Sequence, residues 1–332
     1  MTTPITTPMT TPVTTPVTTP KETTSSSPQQ TPLQIPRPIS KPIGEETAAL
    51  RARNWLHRRS ETLYSECDDG TVIRDNFSQL LILETLSDPS LIRLRYPTQS
   101  STWNYFQGTP CKTTREYPDD VDVTSYAHRL LPHDSSTTHN LLDKMLTPEM
   151  TSPEGIIQVY FSPSRNRLDP AVCINALRLY AHHDRYETPS LSATKTYVLE
   201  TLLQRRYLSG TRYYPSPDVF LYFLAHLVRH IPLGRPLLRG PLAERFHRPA
   251  DALSLAMRLE ACRLVGVEPP AAERKRLLAM QRPDGSFDPG WLCKFGRSAV
   301  RIGNRGLTTA LAVRAIEAAA AGMSDDHKPA LL

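Results

Sequence analysis

Asp119, Asp120 and Asp122 place three carboxylates within four positions, directly ahead of an apolar run that includes Tyr126, Ala127, Leu130 and Leu131. Carboxylates this close cannot all ionise cheaply once water is excluded, so one is pushed toward its protonated form near neutral pH. A carboxylic acid kept neutral against an apolar cavity is what protonation of an unactivated alkene needs. The same residues also read as an ordinary helix start, with Asp at the N-cap and more Asp in a solvated first turn. What surrounds the motif has to decide between the two.

The surroundings are helical in pattern. Glu45 to Ser65 has helical composition around Leu50, Trp55, Leu56 and Leu63, and Asp75 to Leu86 follows before Pro89 stops it. Asp122 to Leu131 and the shorter Leu141 to Leu146 come next. Asp169-Pro170 and Ser216-Pro217-Asp218 each supply a capping side chain and then proline at the first helical position, where its missing N–H costs nothing. Further helices are expected over Ser192 to Tyr207, Leu237 to Phe246, Leu253 to Val265, Pro270 to Met280 and Leu307 to Ala320. The total is about ten or eleven helices, with no convincing strand alternation. From residue 169 onward the starts recur roughly every 20 to 30 residues, as in a superhelical solenoid or a closed ring of helix hairpins. No fixed-period consensus is present, which favours the closed ring.

The ends differ. Residues 2 to 20 repeat Thr-Thr-Pro, with Ile5, Met9, Val13 and Val17 as spacers, and Pro28, Pro32, Pro36, Pro38 and Pro42 continue the style. Proline every few residues removes backbone donors and nothing there builds a core, so residues 1–44 read as a disordered, partly polyproline-like tail. The folded domain is expected over 45–322, with a frayed end at 323–332.

Composition excludes several classes. The net charge of +6 is mild for 332 residues, fits an anionic ligand, and lacks the basic run that nucleic acid would favour. Cys67, Cys111, Cys173, Cys262 and Cys293 are odd in number and far apart, so free thiols in a reducing compartment are expected. No apolar run reaches the roughly 18 residues of a membrane span, and the N-terminus has no secretory pattern, so the expected location is the cytoplasm. His182-His183-Asp184 lacks metal-ligand spacing and reads as a helix end. The oligomeric state is left open.

A second motif lies near the C-terminus. Met280-Gln281-Arg282-Pro283-Asp284-Gly285-Ser286-Phe287 places a glutamine at a helix end, an Asp-Gly turn and an aromatic ring, shortly before Gly290-Trp291. It resembles the QW repeat of squalene cyclases and protein prenyltransferases, with Phe287 where tryptophan is usual. In that family the glutamine caps neighbouring backbone and the ring packs on it. Ile302 to Leu311 resembles the loop and helix start that follow such a repeat. Asp120-Val121-Asp122-Val123-Thr124 resembles the D-x-D-D-T acid motif of class II terpene cyclases and the D-x-D-T-T variant of drimane-type enzymes. The resemblance covers roughly residues 45–322 and implies an α/α toroid, a barrel of helix hairpins. No metal signature of the D-D-x-x-D or N-S-E kind is present.

The resemblance implies proton-initiated cyclisation of a linear isoprenoid diphosphate, farnesyl diphosphate being one candidate. Asp122 matches the proton donor and Asp120 the residue that orients it. Val123 departs from the Asp or Thr usual at the third place, where Asp119 or Thr124 could substitute. Aromatic walls that would guide a carbocation are sought in Trp103, Tyr105, Tyr213, Tyr214, Phe287 and Trp291, against ordinary core packing. Arg212, in the loop Gly210 to Tyr214, is the candidate diphosphate ligand. Lys294, Arg297, Arg301 and Arg305 form a second basic cluster, which a solvated surface would equally explain. Magnesium enters only as the usual companion of a diphosphate. The competing readings are a non-catalytic toroid that binds an isoprenoid or a protein, and a helical-repeat scaffold without a central cavity.

Overall fold

The computed structural model describes residues 44–320, except 166, 232–233 and 297–298. The Thr-Pro tail expected over 1–44, Gly44 apart, the frayed end at 323–332 and the basic candidate Arg297 lie outside the described residues. The described helices are α1 (Glu45–Arg59), α2 (Asn76–Leu86), α3 (Val121–Leu130), α4 (Ser135–Met145), α5 (Pro170–His182), α6 (Ser192–Leu203), α7 (Pro217–Val228), α8 (Arg239–Ala243), α9 (Ala252–Val265), α10 (Ala271–Ala279) and α11 (Arg305–Ala320).

Helices α2, α3, α5, α7, α9 and α11 each pack on the next, and α11 returns to α2, so they close a ring. Their residues explain why they sit inside. Every residue of α5 from Pro170 to Tyr180 is buried, as is almost all of α7 and α9. A helix that is apolar all round needs neighbours on every side. By contrast α1, packed outside on α11, buries one face only (Ala48, Ala49, Ala52, Trp55, Leu56), and α10, outside α9, buries only Glu273 and Leu277.

Each ring helix begins with a side-chain cap. Asp75 accepts from Ser78 N at 2.6 Å, Asp120 from Val123 N at 2.8 Å, Asp169 from Ala171 N at 2.8 Å and Ser216 from Asp218 N at 3.3 Å. Asp251 accepts from Ser254 N and Asn304 from Leu307 N, both at 2.8 Å. Such caps satisfy first-turn N–H groups that have no partner inside the helix. Histidines gather at the opposite ends of α3, α5 and α7. Burial pushes His128 and His230 down to about 4, lowers His182 and His183, and takes His226 well below its ordinary range. Among the described residues no group of His, Cys, Asp and Glu has the geometry to hold a metal ion.

The purely helical expectation needs one correction. Four short strands, β1 (Ser65–Cys67), β2 (Val72–Ile73), β3 (Trp291–Lys294) and β4 (Arg301–Gly303), form an antiparallel sheet in the order β2-β1-β4-β3. Glu66 pairs with Gly303. Strands of two to four residues are too short to show alternation, and their pairing joins distant parts of the chain.

The turn after α10 ties that outer helix to α1. Gln281 Nε2 donates to Ala48 O on α1 at 2.8 Å and to Gly285 O at 2.9 Å, and Phe287 is fully buried. Gly285 has φ of +96°, and a Cβ there would lie 2.5 Å from Arg51 O, so only glycine fits. A buried fork joins α7, α9 and α10: Arg258 donates to Asp218 at 3.1 and 3.0 Å and to Glu273 at 2.5 Å.

Candidate active site

A cavity of about 290 Å³ lies at the end of the ring where these helices begin. Its walls come from the first turns of α2 (Phe77), α3 (Asp120, Asp122, Val123) and α5 (Val172), the loop before α7 (Arg212, Tyr213, Tyr214), and the β3–β4 hairpin (Cys293, Lys294, Phe295, Ile302). Asp122 is buried in the first turn of α3, at 7% exposure. Both its oxygens are engaged. Asn175 Nδ2, on α5, donates to Oδ1 at 2.8 Å, and the Tyr214 hydroxyl donates to Oδ2.

Burial is the dominant influence on this carboxyl and raises it from 3.8 to about 7; the Tyr214 and Asn175 hydrogen bonds and Arg178 pull the other way, and Asp169 adds to the rise. Asp122 therefore holds its proton near neutrality, while its two donors stabilise the carboxylate left after the proton departs. Asp120 is also pushed well up, first by burial and then by Asp122 and Asp119.

The other walls sort by chemistry. Phe77, Tyr105, Tyr117, Tyr160, Tyr213, Tyr214 and Phe295 supply ring faces and edges, and Lys112, Arg165, Arg167, Arg212 and Lys294 supply positive charge. Asp120 and Asp122 are the only carboxylates among the described residues that line the cavity. Arg165 stacks over Tyr117 at 5.0 Å and Tyr160 at 4.9 Å. An apolar-walled acid facing a cationic group suits a substrate with a hydrocarbon chain and an anionic head.

A family profile for the sesquiterpene cyclase astC-like C-terminal domain matches residues 49–183. The drimenol cyclase drtB of Aspergillus calidoustus is 38% identical over 274 residues, which make up 81% of this chain and 51% of that protein. The chain thus spans about half the length of this curated relative. In fold it is similar to the type II terpene cyclase MstE from Scytonema, with a TM-score of 0.59 over 83% of this chain and 99% of that one, at 14% identity. A protein from Actinoplanes gives 0.56 over 83% and 99%, at 17% identity. Together these likenesses support a class II terpene cyclase-like family for the chain.

In this terpene cyclase-like chain the cavity brings together Asp120, Asp122, Arg212, Tyr213, Tyr214, Tyr105 and Lys294 from among the sequence candidates. Seven others lie elsewhere. Asp119 is tied into the preceding loop by Thr102 at 2.5 Å and Asn104 at 3.1 Å, and does not line the cavity. Trp103 is buried behind the motif, its backbone N–H donating to Thr124 Oγ1 at 2.9 Å, so Thr124 is also committed to structure. Trp291 sits on β3 under Arg301, 4.6 Å away, and Arg305 pairs with Asp288 at 3.3 Å beside the Gln281 turn. Phe287 is core, and Arg301 pairs with Asp68 at 3.1 Å.

Sequence reasoning missed Asn175, Lys112, Arg165 and Arg167. Asn175 did leave a trace, since it and Arg178 interrupt the otherwise apolar helix α5. Lys112 and Arg167 sit on irregular loops and Arg165 ends a single 3-10 turn, where spacing carries no signal. Neither Asp119 nor Thr124 bonds to Asp122. Its partners are Asn175 and Tyr214, which removes the need for a polar third motif residue. Val123→Thr is therefore expected to leave turnover within about threefold of the parent; a gain of tenfold or more would show that the third position matters.

Proposed function

We propose that this cavity is the active site of a class II cyclase that protonates and closes a linear isoprenoid diphosphate, and that the six-helix ring with its outer helices is an α/α toroid. The single observation that carries the reading is Asp122: a buried acid, held on both oxygens, opening onto a cavity with aromatic walls and a cationic group. The Asp122 proton would add to the terminal alkene, leaving a tertiary carbocation whose charge passes along the chain as rings close. Aromatic faces stabilise such cations. Loss of a proton from the last cation ends the reaction with atoms balanced.

The relatives support this class. The 38% identical relative is named a drimenol cyclase, and MstE has been solved with geranylgeranyl dihydroxybenzoate as substrate. Two features favour a diphosphate head and the shorter farnesyl chain here. Five cationic side chains line the cavity. Its volume also sits at the low end of the roughly 300–1,000 Å³ usual for ligand sites. Magnesium fits these residues poorly, because the cationic group includes no carboxylate; Arg165, Arg212 and Lys294 would contact phosphate oxygens directly.

The test is incubation of the full chain with farnesyl and geranylgeranyl diphosphate, with magnesium or with a chelator. Products are then dephosphorylated and analysed by gas chromatography–mass spectrometry. A cyclic alcohol from the farnesyl substrate is expected. Tight binding of farnesyl diphosphate without product would favour the non-catalytic binder instead. Arg212→Ala is expected to raise KM about tenfold to a hundredfold with a smaller change in kcat, because it removes a charge-assisted contact to an unreacting group.

A further inference from the structure

The acid's partner Asn175 is itself held from behind. Arg178, one turn along α5, is buried and does not line the cavity. Its Nη1 donates to Asn175 Oδ1 at 3.2 Å and to the Tyr126 hydroxyl at 2.7 Å, and its Nη2 donates to Glu84 on α2 at 2.5 Å. Glu84 also pairs with Arg129 of α3. The guanidiniums of Arg129 and Arg178 each lie 5.1 Å from the centre of the Tyr126 ring. Three helices of the ring thus meet in one buried cluster of two cations and one anion.

The consequence for Asn175 follows from donor and acceptor counting. Arginine can only donate. Asn175 must therefore turn its carbonyl oxygen to Arg178, and its NH2 faces Asp122. A flipped amide would set oxygen against oxygen at Asp122 and N–H against N–H at Arg178. Asn175 is thereby held as a standing donor to Oδ1, beside the Tyr214 hydroxyl on Oδ2. We infer that Arg178 is a positioning residue for the acid: by fixing the Asn175 amide it keeps a donor on Oδ1 that stabilises the carboxylate left when Asp122 gives up its proton. This rests on the reading of Asp122 as the acid.

The variants are Asn175→Leu, Arg178→Met, Arg178→Lys and the double variant Asn175→Leu/Arg178→Met. Arg178→Met leaves Glu84 paired one to one with Arg129, so the buried charge stays balanced. Tyr126→Phe, which loosens Arg178 without removing it, serves if Arg178→Met fails to fold. Two readouts are taken: turnover against pH, and the titration of Asp122 by NMR with 13C-carboxyl aspartate, assigned with Asp122→Asn. Other groups facing Asp122 are Asp120 and Tyr126 on its own helix, Asp169 and Cys173 with Arg178 on α5, Tyr214 before α7, and Cys293 on β3. All are present in every variant of this set except Tyr126 and Arg178, where substituted.

The expected result is a kcat loss of about tenfold to a hundredfold in Arg178→Met, with KM within about threefold, and an Asp122 titration moved to higher pH. Arg178→Lys keeps the charge but not the fork, and should resemble Arg178→Met more than the parent. The double variant should be little worse than Asn175→Leu, because the two residues act in series. Multiplying losses, full rescue by lysine, or an unmoved Asp122 titration would overturn the inference. The NMR titration needs no turnover, so it still reads the lock if the protein proves to cyclise nothing.

Discussion

Asp122→Asn is expected to abolish cyclisation, by at least roughly 10³-fold, and to make the folded protein more resistant to unfolding at alkaline pH. The first half follows from the roles of the neighbouring carboxyls: Asp120, though also raised, is fixed as the α3 cap on Val123 N, and Asp119 is tied to Thr102 and Asn104 away from the cavity. The second half follows from linkage. The folded-state value of Asp122 is raised from 3.8 to about 7, chiefly by burial. A raised carboxyl stabilises the fold fully below its unfolded value, and that contribution is lost as pH rises through the folded value. Asparagine has nothing to lose in this window. The stability difference between variant and parent should therefore grow from pH 4 to pH 8 by up to about 4 kcal/mol. The buried histidines work in the opposite sense, favouring the fold above their unfolded value and less as pH falls. They are common to both proteins and cancel in the difference. Denaturant melts at pH 5 and pH 8, with product analysis, check both halves. A difference that is flat with pH would mean that Asp122 is not held in its protonated form.

Much of this site was legible in the sequence because its signals are local. Three carboxylates before an apolar run mark both a capped helix and a perturbed acid, and Asp120 and Asp122 fill those two roles side by side: one caps α3, the other turns inward. Asp-Pro at 169 and Ser-Pro at 216 marked ring helices through first-turn chemistry. Gln281 and Gly285 marked the turn that meets α1 through a rare backbone requirement. What stayed hidden depends on contacts between distant segments. Asn175 is 53 residues from Asp122, and one polar residue in an apolar helix does not say what it faces. Trp103 and Trp291 misled for the complementary reason, since aromatic type suits a core or a sheet as well as a cation-guiding wall. The β1–β4 pairing brings Glu66 against Gly303, and no window of sequence contains both.

Tyr214→Phe should lower the maximum rate by about tenfold to a hundredfold and yet extend activity to higher pH. Tyr214 donates to Oδ2 of Asp122 and is the largest of the influences that oppose burial there. Phenylalanine keeps the ring that packs at 5.3 Å on Phe223 and 6.3 Å on Phe77, so the cavity wall survives and only the hydroxyl is lost. Without that donor the carboxylate is less stable, and the Asp122 value rises above about 7. A weaker acid transfers its proton more slowly, which lowers the plateau. The working form is the protonated one, so activity falls as pH rises through the acid's value, and raising that value moves the alkaline limb upward. At pH 9 the variant should keep a larger share of its own maximum than the parent does. Tyr213→Phe is the control: Tyr213 lines the same cavity but makes no hydrogen bond to Asp122 through its hydroxyl among those resolved, so its limb should stay in place. A limb that moves down in Tyr214→Phe, or moves equally in both variants, would show that the hydroxyl does not tune the acid. Reduced rate with a raised limb would tie the cavity's pH dependence to one oxygen of one carboxyl group.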